Sequence, residues 1–291
     1  MMTIQRTLLA LTLLVAYAAM TDMAAHAETL SGAAARESVQ QKLSHAANEA
    51  NDPDVMYLTG LMFDRGEGVP QDYREAFRWY VLAAEAGQRG AMNSLGLMYA
   101  LGHGVSQDHA EAMKWWTKAA DGGSIAALDN IATTYYAGLG VQQNYPEAAK
   151  WFQLAADKGD ADAMNMLGVM YAQGLGVTRD RRNAIKLFGQ SAYLGHASAM
   201  VNLGVLYAAG TGVKHDNALA YAWLTAALAF GVPAELHDAT VYKLGMTAAR
   251  LGPNQLSRAQ EQARKIAVTI AGHQAGTPDR KSDQARLRSM I

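Results

Sequence analysis

The sequence contains no cysteine and only 6 prolines among its 291 residues. Without disulfide bonds, the fold must be stabilised by packing alone. The low proline content and a hydrophobic fraction of 50% favour a folded chain with a core over a disordered one. The formal net charge is only -1 at pH 7, so the chain has no global basic field and nucleic acid is not an expected partner.

The common catalytic signatures are also missing. The chain has no G-x-S-x-G elbow, no S-x-x-K, no H-E-x-x-H and no G-x4-G-K-[ST] loop. Two histidines flank one predicted turn, His103 and His109, and His215 lies in the equivalent turn of the last repeat. No further metal-binding residue recurs with them. We interpret them as surface residues and predict no metal site, no cofactor and no enzyme activity.

The amino terminus has the three parts of a secretory signal. Arg6 supplies the positive charge of the first region, residues 8–19 form the apolar region, and residues 25–27 form an A-x-A cleavage site. The alternative is a membrane anchor, but this apolar run is short against the ~20 residues that span a bilayer. We expect residues 1–27 to be removed, leaving a mature chain without stable membrane insertion. The form of the signal indicates export across the inner membrane to a bacterial periplasm.

From residue 54 to residue 231 one pattern recurs every 36 residues. Each repeat contains a G-x-G pair, and the five pairs are Gly66 and Gly68, Gly102 and Gly104, Gly138 and Gly140, Gly174 and Gly176, and Gly210 and Gly212. An Asp or Asn follows each pair: Asp72, Asp108, Asn144, Asp180 and Asp216. A large apolar residue comes seven positions later: Trp79, Trp115, Trp151, Leu187 and Trp223.

Each recurring residue type has a local role. Ala91, Leu95 and Tyr99 form one stripe of a first helix, and Gly96 beside them allows a neighbouring backbone to approach. The G-x-G pair predicts left-handed backbone that ends this helix and reverses the chain. The Asp or Asn position predicts the cap of a second helix. In the first three repeats a Glu follows three residues later and completes a predicted capping box. We expect the tryptophan positions to be core, rather than a ladder for stacking a ligand.

The pattern resembles the Sel1-like repeat, a relative of the tetratricopeptide repeat, over residues 54–231. The resemblance implies an all-α fold, an α/α solenoid in which helix-turn-helix repeats form a right-handed superhelix. It also implies binding of a protein or peptide. Some members of the family are cysteine-rich proteins described as β-lactamases, but this chain lacks both their cysteines and an S-x-x-K serine.

The segments on either side of the repeats are expected to close the array. Residues 28–53 align with a second helix and predict an N-terminal capping helix. Residues 232–270 predict two C-terminal capping helices, because a terminal repeat needs one polar face. Residues 271–291 predict a flexible basic tail.

A partner is expected on the concave face, formed by the first helices opposite their core stripe. One row of this face is Tyr57, Asn93, Asp129, Asn165 and Val201, and the next is Leu61, Leu97, Thr133, Val169 and Val205. The first row is mostly polar and the second mostly apolar, which suits an extended segment of a partner. We expect an adaptor or regulator of envelope or signalling complexes. The alternative is a hydrolytic or cell-wall-binding site that uses acidic residues such as Asp129.

Overall fold

A computed structural model of the chain describes residues 51–274. The predicted signal sequence, nearly all of the predicted N-terminal capping helix and the tail after residue 274 lie outside these residues. Residues 51–274 form twelve helices and no strand, so the predicted all-α class is confirmed.

The chain divides into two compact units, Met1–Ala127 and Leu128–Ile291, and the division falls within the fifth helix. In the first unit the helices are α1 (Pro53–Arg65), α2 (Tyr73–Glu85), α3 (Arg89–Leu101) and α4 (His109–Asp121), followed by the start of α5 (Ile125–Ala137). In the second unit the end of α5 is followed by α6 (Tyr145–Asp157), α7 (Ala161–Gln173), α8 (Arg181–Tyr193), α9 (Ala197–Ala209), α10 (Asn217–Phe230), α11 (Ala234–Ala248) and α12 (Pro253–Gln274).

Within each unit, most helices pack against their neighbours in the chain. In the first unit α2 packs against α1 and α3, and α3 packs against α4. In the second unit consecutive helices pack from α6 to α11, and α12 returns to lie against α10 and α8. This is the packing of an α/α solenoid made of helical hairpins.

The two glycines of each turn have separate roles, as the second hairpin shows. Gly102 (φ 72°) ends α3 in the left-handed conformation, and its N–H donates to the carbonyl of Met98. Gly104 (φ 71°) lies so close to the carbonyl of Tyr73 that a β-carbon would collide with it. The first glycine therefore reverses the chain, as predicted, and the second lets the turn contact the start of α2.

The predicted helix caps are confirmed, but the complete capping box is wrong. The carboxylate of Asp108 accepts hydrogen bonds from the N–H groups of Ala110 and Glu111, at 2.9 and 3.0 Å. The N–H of Asp108 donates to the carbonyl of Tyr99, 2.9 Å away, so it is not available to the side chain of Glu111. Glu111 pairs with Lys114 instead. The same backbone bond closes the other hairpins, from Asp72 to Phe63, Asn144 to Tyr135, Asp180 to Tyr171 and Asp216 to Tyr207.

The predicted core stripe of the second helices needs correction. Trp79, Leu187 and Trp223 are buried, but Trp115 and Trp151 are only half-buried. The residue that follows this position is buried in all five repeats: Tyr80, Trp116, Phe152, Phe188 and Leu224. In four repeats this side chain lies against the first-helix glycine, in the space that a β-carbon would fill: Gly60 with Tyr80, Gly96 with Trp116, Gly168 with Phe188 and Gly204 with Leu224. The glycine therefore accommodates a side chain rather than a neighbouring backbone.

Helices α11 and α12 follow the fifth hairpin in the segment expected to cap the array. Ala263, Ile266 and Ile270 of α12 are buried in the same core cluster as Trp223. The predicted end of the helix at residue 270 is wrong, because α12 continues to Gln274. The Gln274 side chain donates to the carbonyl of Leu194 at 3.2 Å, and this bond ties the last turn of the helix to α8.

Candidate functional site

In the first unit, the first-helix face consists of residues from α1 and α3. Tyr57, Leu61 and Asn93 are half-buried. Leu97 is 39% exposed and Leu101, one turn further along α3, is 60% exposed. The two leucines therefore form an apolar pair that the described residues leave open to solvent.

In the second unit, only part of the predicted face can be reached by a partner. Thr133 is exposed, and Val169 and Val205 are half-buried. Asn165 and Val201 are buried, with 8% and 6% exposure. The Asn165 side-chain oxygen accepts a 2.9 Å hydrogen bond from Asn202 on the next first helix. The expectation of an open row is wrong at these two positions, because Asn202 of α9 contacts Asn165 and Val201 belongs to a core cluster.

Asp129 is the acidic residue named in the hydrolytic alternative. Its Oδ1 atom is buried and has no hydrogen-bond partner among residues 51–274. Burial raises the pKa of this carboxyl to about 6, and the negative charges of Asp160 and Asp162 contribute further. The charged groups that raise the pKa of Asp129 are thus carboxylates, and no His, Lys or Arg is among them.

A histidine that the sequence analysis did not single out connects two hairpins in the second unit. His196 caps α9, where its Nδ1 accepts from the N–H of Ala199 at 3.1 Å. Its Nε2 lies 2.7 Å from the carboxylate of Asp162 on α7. This pair of contacts requires the proton to be on Nε2. The signal in the sequence is a polar residue three positions before the recurring alanine, since Gln88 and Asp160 cap α3 and α7 in the same way.

The turn histidines do not gather into a site. The ring of His103 stacks on Tyr73, with the ring centres 4.4 Å apart, and so packs one hairpin against the preceding one. Across the described part of the chain, no group of three or more His, Cys, Asp or Glu side chains could hold a metal ion. Of the helices between residues 51 and 274, none has both the length and the apolar character needed to cross a membrane.

Comparison with known proteins supports the repeat pattern directly. The family model described as Sel1 repeat matches residues 53–88, 90–124, 125–160, 161–196 and 197–229. The crystal structure of a Sel1 repeat protein from Oxalobacter formigenes is 35% identical, with a TM-score of 0.64, covering 74% of this chain and 89% of that one. A protective antigen of uropathogenic Escherichia coli with an SLR fold is 25% identical, with a TM-score of 0.66, covering 93% of this chain and 67% of that one. No curated protein matches the chain.

Proposed function

Because the chain belongs to the Sel1 repeat family, we propose that it is a scaffold whose first-helix face binds a segment of a protein partner. Sel1 repeats generally mediate protein interactions, and the Sel1 solenoid is a scaffold fold that is typically non-enzymatic. The hydrolytic alternative expects a His, Ser or Lys partner for Asp129, and no His, Lys or Arg is among the charged groups that shift its pKa. Binding is therefore the function that the geometry favours.

The exposed pair Leu97 and Leu101 carries this proposal. The two side chains follow each other on one face of α3, and Leu61 occupies the position equivalent to Leu97 on α1. When a partner covers neighbouring apolar side chains, it removes them from water, and this lowers the free energy of the complex. Two partly buried hydrogen bonds, from Ala91 to Gln88 and from Trp116 to Asn93, fix α3, so the pair is presented on a rigid element.

We further propose that the protein acts after export, as an adaptor or regulator of envelope or signalling complexes. The signal-like sequence of residues 1–27 supports export. An array of hairpins offers a long surface, and this suits a protein that holds other proteins together.

The binding proposal can be tested by replacing both leucines with serine. A cross-linking pull-down from the cell envelope should recover a partner with the unmodified chain. The double variant Leu97→Ser/Leu101→Ser should not recover this partner. Affinity for that partner should fall by about 1 to 3 kcal/mol, the usual effect of removing apolar interface anchors.

The matched control is Leu82→Ser, which removes a leucine of similar exposure, 41%, from a second helix of the same unit. This variant should keep the partner, and circular dichroism should show all variants folded. If the double variant folds and binds with unchanged affinity, the first-helix face is not the binding surface.

A further inference from the structure

A cavity of about 500 Å³ lies in the second unit, between the turn before α10 and the turn that joins α11 to α12. Val213 and Leu251 form its apolar wall, together with Tyr207. The remaining lining residues are polar or charged, apart from Ala218 at the start of α10. The cavity is therefore suited to a ligand with both an apolar and a charged part.

The fifth hairpin differs from the other four at the position just before the helix cap. In the first four hairpins this side chain donates to a carbonyl seven residues earlier: Gln71 to Asp64, Gln107 to Ala100, Gln143 to Tyr136 and Arg179 to Ala172. The corresponding residue in the fifth is His215, which makes no such bond within the described chain. Its imidazole instead lines the cavity.

Two cations line the cavity, and neither has a partner in the described part of the chain. The Lys214 and Arg250 side chains are exposed, and neither forms an ion pair or a hydrogen bond with another residue between 51 and 274. The start of α10 adds to their positive field. Within residues 51–274 the Asp216 side chain accepts only from the N–H of Leu219, whereas that of Asp108 accepts from two N–H groups. The N–H of Ala218 is thus left without a capping bond, and the cavity attracts a negatively charged group.

One other group decides what kind of anion fits. The carboxylate of Asp216 also lines the cavity and disfavours a doubly charged anion. A phosphate dianion offers mainly acceptors and carries two charges. The last residue of a peptide offers one negative charge and an apolar side chain, which match the cations and the apolar wall.

We propose that this cavity binds the C-terminal residue of a peptide. The carboxylate lies between Lys214 and Arg250, and an apolar side chain packs against Val213 and Leu251. The site is separate from the first-helix face and does not depend on the function proposed for that face.

The test is a titration of the full mature chain with two acetylated tetrapeptides, each with three alanines followed by leucine. One peptide has a free carboxylate and the other a C-terminal amide. The free acid should bind, and the amide should bind roughly tenfold more weakly or not at all, because it lacks the charge. The free acid should shift backbone amide resonances of residues 213–218 and 250–255. Shifts confined to α1 and α3 would overturn the proposal and would concern the first-helix face instead.

Variants of the two cations provide the second arm. Arg250→Gln and Lys214→Gln should each weaken binding of the free acid by roughly fivefold or more, with little effect on the amide. The control is Arg258→Gln, which removes an exposed arginine of α12 that does not line the cavity, and it should change nothing. All three side chains are exposed, so the variants should fold, and circular dichroism checks this.

Three outcomes would overturn the proposal. They are the absence of saturable binding of the free acid up to about 10 mM, equal binding of acid and amide, and inorganic phosphate binding as tightly as the free acid. The last result would define an anion site that does not recognise a peptide end.

Discussion

The indole ring of Trp116 occupies the space that a β-carbon on Gly96 would fill. Its Nε1–H donates a 3.2 Å hydrogen bond to the carbonyl of Asn93, three residues before that glycine. Trp116 is therefore fixed against α3 by shape and by a directed bond at once.

Gly96→Ala should destabilise the protein by about 1 to 3 kcal/mol, because the added methyl group must displace a buried ring. The matched control is Gly245→Ala, since a β-carbon at this helical glycine meets nothing within 4 Å. That change should stabilise the fold by up to about 1 kcal/mol through helix propensity alone. Urea unfolding of both variants checks the opposite signs. If Gly96→Ala and Gly245→Ala change the free energy of unfolding equally, the Trp116 ring can move without destabilising the protein.

Phe152→Ala should cost about 3 to 5 kcal/mol, as large-to-small core substitutions do. The Phe152 side chain is fully buried, whereas Trp151 beside it is half-buried. Trp151→Ala should therefore cost clearly less, although the sequence pattern marks the tryptophan as the core residue. Thermal melts of the two variants, with the unmodified chain beside them, decide between these positions. A larger loss for Trp151→Ala would contradict the burial described for α6.

Asp129 should make stability fall as the pH rises from about 4 to about 6. Its pKa is raised to about 6 in the folded chain, against about 3.9 in an unfolded one. Between these values the folded state binds more protons than the unfolded state, so the free energy of unfolding decreases with pH.

The variant Asp129→Asn should remove this pH dependence. It should also stabilise the protein at pH values above about 6, by about 1 kcal/mol once solvent screening of the half-buried carboxyl is allowed for. Unfolding curves at several pH values measure both effects. Asp162→Asn serves as a control for the neighbouring charge, and its effect should be smaller. A variant with unchanged pH dependence would contradict the raised pKa.

Export predicts a specific amino terminus. Mass spectrometry of the protein from the exported fraction should find Glu28 as its first residue, because cleavage is expected after the A-x-A site. Replacing Ala25 and Ala27 with larger residues should block this cleavage. An intact Met1 on protein from a membrane fraction would contradict the expectation.

The hairpins could be predicted from the sequence because their signals are local. The left-handed turn at Gly102 and the cap at Asp108 both depend on residues within a few positions of each other. The bond from the Asp108 N–H to Tyr99 was not predicted, since it depends on how closely two helices approach after the turn.

The core stripe was harder to predict, because Trp115 and Trp116 are adjacent large residues about 100° apart around α4. Trp116 is the one that lies against Gly96 on the facing helix, and this contact cannot be read from the sequence of α4 alone. Asn165 presents a similar difficulty. Its own helix gives no sign that Asn202, on the next first helix, donates to it and helps to cover it.

The backbone bond that closes each hairpin, such as that from Asp108 to Tyr99, spans only a short stretch of chain. Contacts of this kind cost little loop entropy, so each hairpin should form early and quickly during folding. Each of these bonds lies within one 36-residue repeat. Duplication or loss of a whole 36-residue repeat would therefore change the length of the array while leaving the closing bonds of the other repeats in place.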